Sequence, residues 1–194
     1  MVPYRGGRLT AEPVADADVS AALERARSGD EDAFRLLYRA VQPAIYRYLW
    51  VLVGQDADDV ASETWLQVAR DLTTFSGDAD GFRGWAATIA RNRALDHVRW
   101  QRRRPVAEAP SEWFPERPAP DDTAGAAIEA MTTEAALALI ATLPRDQAEA
   151  VMLRAVLGLD APAAAKVLGK RPGAVRTAAY RGLRTLADRL GGQV

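Results

Sequence analysis

The residues of this chain best equipped for chemistry are arginines, gathered in two runs. In the first, Arg91, Arg93, Arg99, Arg102, Arg103 and Arg104 face a single acid, Asp96. In the second, Lys170, Arg171, Arg176, Arg181, Arg184 and Arg189 face Asp188. Either run alone reads equally well as a solvated helix face. Two separated basic helical stretches together are an electrostatic footprint for a polyanion. Other chemistry lacks its residues. The chain has no cysteine, which removes disulfides, thiol catalysis and thiolate metal sites. One histidine, His97, cannot assemble a metal cluster by itself, and there is neither a zinc spacing nor a Gly-rich phosphate loop. The expectation is a binding protein: no catalytic residue, no metal, no cofactor.

The formal net charge of −1 over 194 residues hides a segregation. Residues 30–104 hold eleven Arg against eleven acids, and residues 131–194 hold nine Lys or Arg against five. Between them, residues 105–130 hold Arg117 against six acids, with Pro105, Pro110, Pro115, Pro118 and Pro120. That composition reads as a linker. Residues 1–18 show no periodicity and read as a mobile tail. No apolar run approaches a membrane span, and residues 1–29 lack the apolar core of a signal peptide, so a cytoplasmic protein without membrane insertion is expected.

The elements that position the arginines are helical throughout. Ala22, Leu23 and Ala26 mark a helix that stops at Ser28-Gly29-Asp30. Phe34, Leu37, Tyr38, Val41, Ile45, Tyr48, Leu49 and Leu52 recur at three- and four-residue spacing, with Pro43 placed to kink that stretch or start its second half. After Gly54, acids at Asp56, Asp58 and Asp59 open a helix with an apolar stripe of Val60, Thr64, Trp65, Val68 and Leu72. Its other side stacks Asp59, Glu63 and Gln67 on one face. Residues 73–81 read as a loop. A long helix follows, with Phe82, Trp85 and Ile89 inward, running into the first basic cluster. His97 reads as a surface residue of that helix, and Trp65 and Trp85 as core.

Helical pattern resumes near Met131 with Leu137, Leu139, Ile140 and Leu143, and after Pro144 with Ala148, Val151, Met152, Ala155 and Val156. The end of the chain is a helix-turn-helix: a short helix over 161–168 capped by Asp160, a turn at Gly169, and a longer basic helix from Pro172 to about Leu190. Val167, Leu168, Val175 and Leu183 can pack the two helices together. That leaves Arg176, Thr177, Tyr180, Arg181 and Arg184 with exposed side chains able to meet bases and phosphates. No stretch shows strand alternation. The fold class is all-α, in two bundles over 19–104 and 131–194 joined by the linker.

DADDVASETWL at 56–66, FRGWAATIARN at 82–92 and LDHVR at 95–99 resemble region 2 of the extracytoplasmic-function sigma factors, the compact members of the sigma-70 family. Leu143-Pro144, Leu153-Arg154, Gly158-Leu159, Leu168-Gly169, GAVR at 173–176 and YRGLR at 180–184 are similar to region 4. The resemblance spans about 19–190 in the family's order. It implies a subunit that binds core RNA polymerase and directs it to promoter DNA. In that reading Asp59, Glu63 and Gln67 dock on the polymerase. The stretch from 73 through Asn92 captures the unwound −10 strand, and Arg91, Asn92, Arg93, Arg99, Arg102 and Arg103 meet DNA. Lys170, Arg171, Arg176, Thr177, Tyr180 and Arg181 read the −35 element. Family members are commonly covered by an anti-sigma protein, so such a partner is compatible with the resemblance, though no residue names one. The departure at Ser62 points to a weaker polymerase contact, and those at Ala161–Ala165, Lys170 and Ala178 to an unusual −35 preference.

Two other classes compete. A dimeric helix-turn-helix regulator needs only the last helices and leaves the 30–104 block without a use. An enzyme of nucleic-acid chemistry lacks a convergent acid cluster outside 56–63. A flexible linker further implies two units that move independently or pack compactly against a partner.

Overall fold

A computed structural model describes residues 16–103 and 124–191, with side chains for residues 18–103 and 133–190. Among them every regular element is helical. The first unit opens with α1 (Asp16–Arg27) and turns at Gly29, whose φ of +92° favours glycine. Helix α2 (Glu31–Val53) is capped by Asp30, whose carboxylate accepts the Ala33 amide at 3.0 Å and the Arg25 Nε at 2.8 Å. Those two bonds hold the Asp30 carboxyl below its ordinary range. The expected stripe is the buried one: Leu37, Val41, Ile45, Tyr48 and Leu49 face inward. Pro43 neither breaks α2 nor begins a second helix; the stripe runs past it, and packing on both sides outweighs the one missing amide bond.

A 3₁₀ turn (Gly54–Asp56) leads to α3 (Ala57–Asp71), which buries Val60, Ala61, Thr64, Trp65 and Val68. The Trp65 indole N–H donates to the buried Gln42, so the ring enters the core with its polar edge satisfied. A second 3₁₀ turn (Leu72–Thr74) shortens the expected loop to residues 75–78. Then α4 (Ala79–Arg103) starts with Asp78 accepting the Gly81 amide at 2.8 Å. Its inner face sets Phe82 and Ile89 among Ala86, Ala87, Ala90 and Ala94, and the alanines let neighbouring helices approach closely. Full burial stabilises each large apolar side chain by ~1.5–3 kcal/mol.

The second unit starts earlier than the periodicity suggests. Helix α5 (Ala124–Ala141) begins inside the stretch read as linker; residues 104–123 and the tail through residue 15 lie outside the described residues. Helix α6 (Arg145–Val151) continues into a π-helical turn (Met152–Val156). Wider i→i+5 bonding rotates Leu153 and Leu157 inward and leaves Ala155 exposed, a correction to its expected core position. Helix α7 (Ala161–Leu168) is capped as expected, Asp160 accepting the Ala163 amide at 2.7 Å. Gly169 ends it in the left-handed region at φ +63°, with the Lys170 amide donating to the Ala165 carbonyl. Helix α8 (Pro172–Gly191) packs Val175, Ala178, Ala179 and Leu186 inward. Leu183 does not join them: it is 51% exposed, one position past the buried face that runs through Gly182. There α8 lies so close to α6 that an added Cβ would stand 2.8 Å from Val151 Cγ2.

The two units are not independent. One apolar cluster runs through both, α7 lies along α4, and α5, α6 and the π-helical turn lie against α2. Val51 of α2 packs on the Leu143, Ala148, Val151 and Leu186 cluster of the second unit. The expectation of freely moving units, or of units packed on a partner, gives way to units packed on one another.

Candidate nucleic-acid interface

Three surfaces hold the candidate residues. The outer face of α3 presents Asp59 and Glu63 to solvent, with Leu66 66% exposed beside them. Gln67 is different: it is half-buried, accepts from Arg93 Nε at 2.9 Å and donates to Asp71 at 3.3 Å. A candidate for docking and a candidate for DNA contact thus bond to each other and brace α3 against α4. Ser62 turns its hydroxyl back to the Asp58 carbonyl at 3.0 Å.

On α4 the candidates divide again. Asn92, Arg99, Arg102 and Arg103 are exposed, Arg99 pairing with Asp96 at 3.0 Å. His97 is not a plain surface residue: with Gln101 it holds Asp56, at 3.0 and 2.6 Å, which ties the start of α3 to the end of α4. Trp100, 50% exposed, lies next to the His97 ring. Trp85 is half-buried rather than core, stacked on Phe75 at a centroid distance of 4.9 Å. Arg27 closes over the other side of Phe75's surroundings, its guanidinium 5.4 Å from that ring and bonded to the Gly77 carbonyl. Arg27 and Phe75 therefore fix the 75–78 loop. Sequence reasoning missed both, since their partners are far along the chain.

Arg91 is the most constrained candidate. Its side chain is 21% exposed, and its Nε donates at 2.6 Å to Glu149 of α6, which is 3% exposed. Arg145 donates to the other carboxylate oxygen at 2.8 Å. Burial is the largest influence and disfavours the Arg91 charge, but the hydrogen bond and negative charge of Glu149, with Tyr48, together outweigh it and the net shift is upward. Tyr48 of α2 lies buried at the same cluster. Burial first, and then the Glu149 carboxylate, hold its phenol proton on above the ordinary range. Glu149 was not singled out from the sequence. Its signal was an acid inside the apolar run 148–153, four residues after a basic partner.

The third surface is the start of α8 and the turn before it. Lys170, Arg171, Arg176, Thr177, Tyr180 and Arg181 are all exposed, Tyr180 by 66%. None of the four cations among them pairs with an acid of the described residues. They form one solvent-facing basic surface on a helix held from behind by Val175, Ala179 and Gly182. Between α7 and α4 a cleft of about 540 Å³ is lined by Trp85 and Thr88 on one wall and Ala163 and Lys166 on the other. Among the described residues no group of three His, Cys, Asp or Glu could hold a metal ion, and no helix is long and apolar enough to cross a membrane.

Comparison with known proteins matches residues 37–104 to sigma-70 region 2 and residues 133–186 to sigma-70 region 4. The ECF RNA polymerase sigma factor BldN of Streptomyces coelicolor is 35% identical over 180 residues, covering 90% of this chain and 68% of its own length. ShbA of Streptomyces griseus, another ECF RNA polymerase sigma factor, is 34% identical, covering 87% of this chain and 93% of its own. SigD of Mycobacterium tuberculosis is 33% identical, with 89% and 84% covered. Among solved structures, CnrH in complex with the cytosolic domain of CnrY shares the fold with a TM-score of 0.63 at 23% identity, covering 91% of this chain and 99% of that one. The sigma factor RpoE of Bartonella quintana, in complex with the anti-sigma factor NepR, gives 0.59 at 19%, with 81% and 96% covered.

Proposed function

This chain belongs to the extracytoplasmic-function sigma factors of RNA polymerase, and from that premise we propose how its surfaces divide the work of initiation. The chain binds core polymerase and directs promoter-specific transcription initiation. It performs no covalent chemistry; the polymerase does, in the cytoplasm. Asp59 and Glu63 form the docking face on the polymerase, and Gln67 supports that face from within. Residues 75–92 capture the unwound −10 strand, where extracting a base costs a few kcal/mol that a pocket and stacking must return. Arg91, Arg93, Arg99, Arg102 and Arg103 follow the phosphates. Lys170, Arg171, Arg176, Thr177, Tyr180 and Arg181 read the −35 duplex. The units divide as region 2 over α1–α4 and region 4 over α5–α8, with the tail before α1 and the linker between α4 and α5. An anti-sigma protein is a further partner in this reading, by likeness to RpoE of Bartonella quintana, which was solved with one.

One observation carries the proposal: an acidic face on α3 and a separate unpaired basic face on α8 stand on the two segments that the family comparison matches, in order. The acids are the cleaner test, because both side chains are exposed opposite the Val60–Thr64–Val68 stripe. Reversing them should shift stability by less than about 0.5 kcal/mol, while like charges across an interface cost several kcal/mol. Asp59→Arg with Glu63→Arg is expected to keep helicity and melting temperature and to lose co-purification with core polymerase. A folded double variant that still binds would put the docking face elsewhere.

A further inference from the structure

Besides the Tyr48 phenol, three polar or charged side chains are buried among the described residues: Gln42, Thr64 and Glu149. The first two are satisfied inside the first unit, by Trp65 and by the Val60 carbonyl. Glu149 is satisfied across the boundary between units. Arg145 is its own neighbour one turn back on α6 and stays with it wherever α6 goes. Arg91 belongs to α4, and its bond to Glu149 exists only while the units are together. Arg91 is also one of the arginines assigned to DNA phosphates, a role in which a carboxylate is a direct competitor: both are anionic oxygen acceptors for the same guanidinium.

The surroundings make the competition exclusive. At 21% exposure Arg91 has little surface left to offer. It shares its cleft with Arg145, Asp146 and Lys170 of the second unit, so α6 and the turn before α8 stand over it. Farther toward the start of α4, α7 lies along the same helix at Trp85 and Thr88. The strand-capturing face of α4 is thus the face on which the helix-turn-helix unit rests.

We propose that Glu149 is a built-in latch: in the free chain its carboxylate occupies Arg91 in place of a DNA phosphate and holds the second unit closed over α4. The inference rests on the strand-capturing role given to α4 above. Parting the units hydrates both partners together and frees Arg91. Ligands that bind only the parted form, polymerase and promoter, then shift the population toward it.

The chain has no cysteine, so two introduced ones can carry a donor and an acceptor dye. Ala21→Cys on α1 and Asp188→Cys on α8 are exposed positions outside every surface assigned here. Energy transfer in the full chain reads closure. Binding of a fluorescein-labelled twenty-residue oligothymidylate reads the freed phosphate site. Glu149→Gln, which keeps the side chain's size, is expected to lower the transfer and tighten the oligonucleotide at least threefold. The slope of log affinity against log salt should steepen by about 0.7, one added phosphate contact on a single strand. Arg91→Ala should open the chain as well but leave the oligonucleotide no tighter, and the double variant should behave like Arg91→Ala. Should Glu149→Gln fail to fold, Arg91→Ala decides, since it leaves Glu149 paired with Arg145. A chain that stays closed in Arg91→Ala, or a folded Glu149→Gln with unchanged transfer, affinity and salt slope, overturns the latch. Pull-down of the wild type by core polymerase reports separately on the functional reading and does not depend on this outcome.

Discussion

The two basic surfaces of this chain are built in opposite ways. On α4, Arg91, Arg93 and Arg99 are each engaged by a protein acceptor, respectively Glu149, Gln67 and Asp96. On α8 and the turn before it, Lys170, Arg171, Arg176 and Arg181 face solvent and pair with no acid among the described residues. The same residue type is spent on internal bracing in one unit and left available in the other. A duplex reader can be preformed, because duplex DNA arrives with its grooves and phosphates in place. A surface for a strand that must first be unwound has no partner until initiation begins, and there the cations hold the fold together instead. The contrast predicts that α8 substitutions act on DNA binding and spare stability, whereas α4 substitutions act on both.

The largest effect expected from that contrast is on α8. Arg176→Ala and Arg181→Ala should leave the melting temperature within the range of exposed substitutions, about 0.5 kcal/mol. Where the lost arginine reads a base, discrimination at that position falls by ~1–3 kcal/mol. Where it holds a phosphate, all sequences weaken together and the salt slope drops by about 0.9. Titrating each variant against the −35 half of a cognate promoter at several salt concentrations separates these. No change in either variant would remove α8 as the reader.

Next in size is the scaffold behind α8. Gly182→Ala places a methyl against Val151, whose β-branched side chain has little freedom to yield. Overpacking of this kind costs ~1–3 kcal/mol, more than the gain of up to about 1 kcal/mol from replacing a helical glycine. Denaturant unfolding should show the net loss, and α8's exposed residues should then bind DNA more weakly through displacement rather than lost contacts. A more stable Gly182→Ala would mean that α6 and α8 can separate freely.

The smallest effect sharpens the α4 side. Arg93→Ala removes the bond to Gln67 that braces α3 and α4, worth about 1 kcal/mol net. Unlike Arg176→Ala, it should lower stability measurably in the absence of any DNA. Equal stability for the two variants would erase the distinction between the surfaces.

Much of this arrangement was legible in the residue order, and the exceptions share a cause. The α2 stripe, the Gly54 stop, the Asp160 cap and the Gly169 turn are local signals, set by 3.6-residue periodicity and by backbone preferences. Periodicity failed where the helix itself departs from 3.6: the π-helical turn at 152–156 put Leu153 and Leu157 in the core and Ala155 in solvent. Leu183 was misplaced by one position because glycine, with no side chain to mark it, occupies the buried face at 182. The pairings missed altogether, Glu149 with Arg91, Phe75 with Arg27 and Asp56 with His97, join distant segments. Their meaning lies in the tertiary contact, and neither partner announces it alone. The exposure of the α3 acids and of the α8 cations was the easy part, since exposure opposite an apolar stripe is itself a periodic property.

The central claim is that one chain brings core polymerase to two separated DNA elements. It is tested most directly by transcription from fragmented genomic DNA of the host with purified core polymerase and this protein, followed by mapping of the RNA 5′ ends. The account predicts discrete start sites absent with core polymerase alone. They should be preceded by two shared sequence blocks about one and a half turns apart, roughly 50 Å at ~34 Å per turn, and be lost with Asp59→Arg and Glu63→Arg. Start sites no different from those of core polymerase alone, or ones that persist in the double variant, would contradict it.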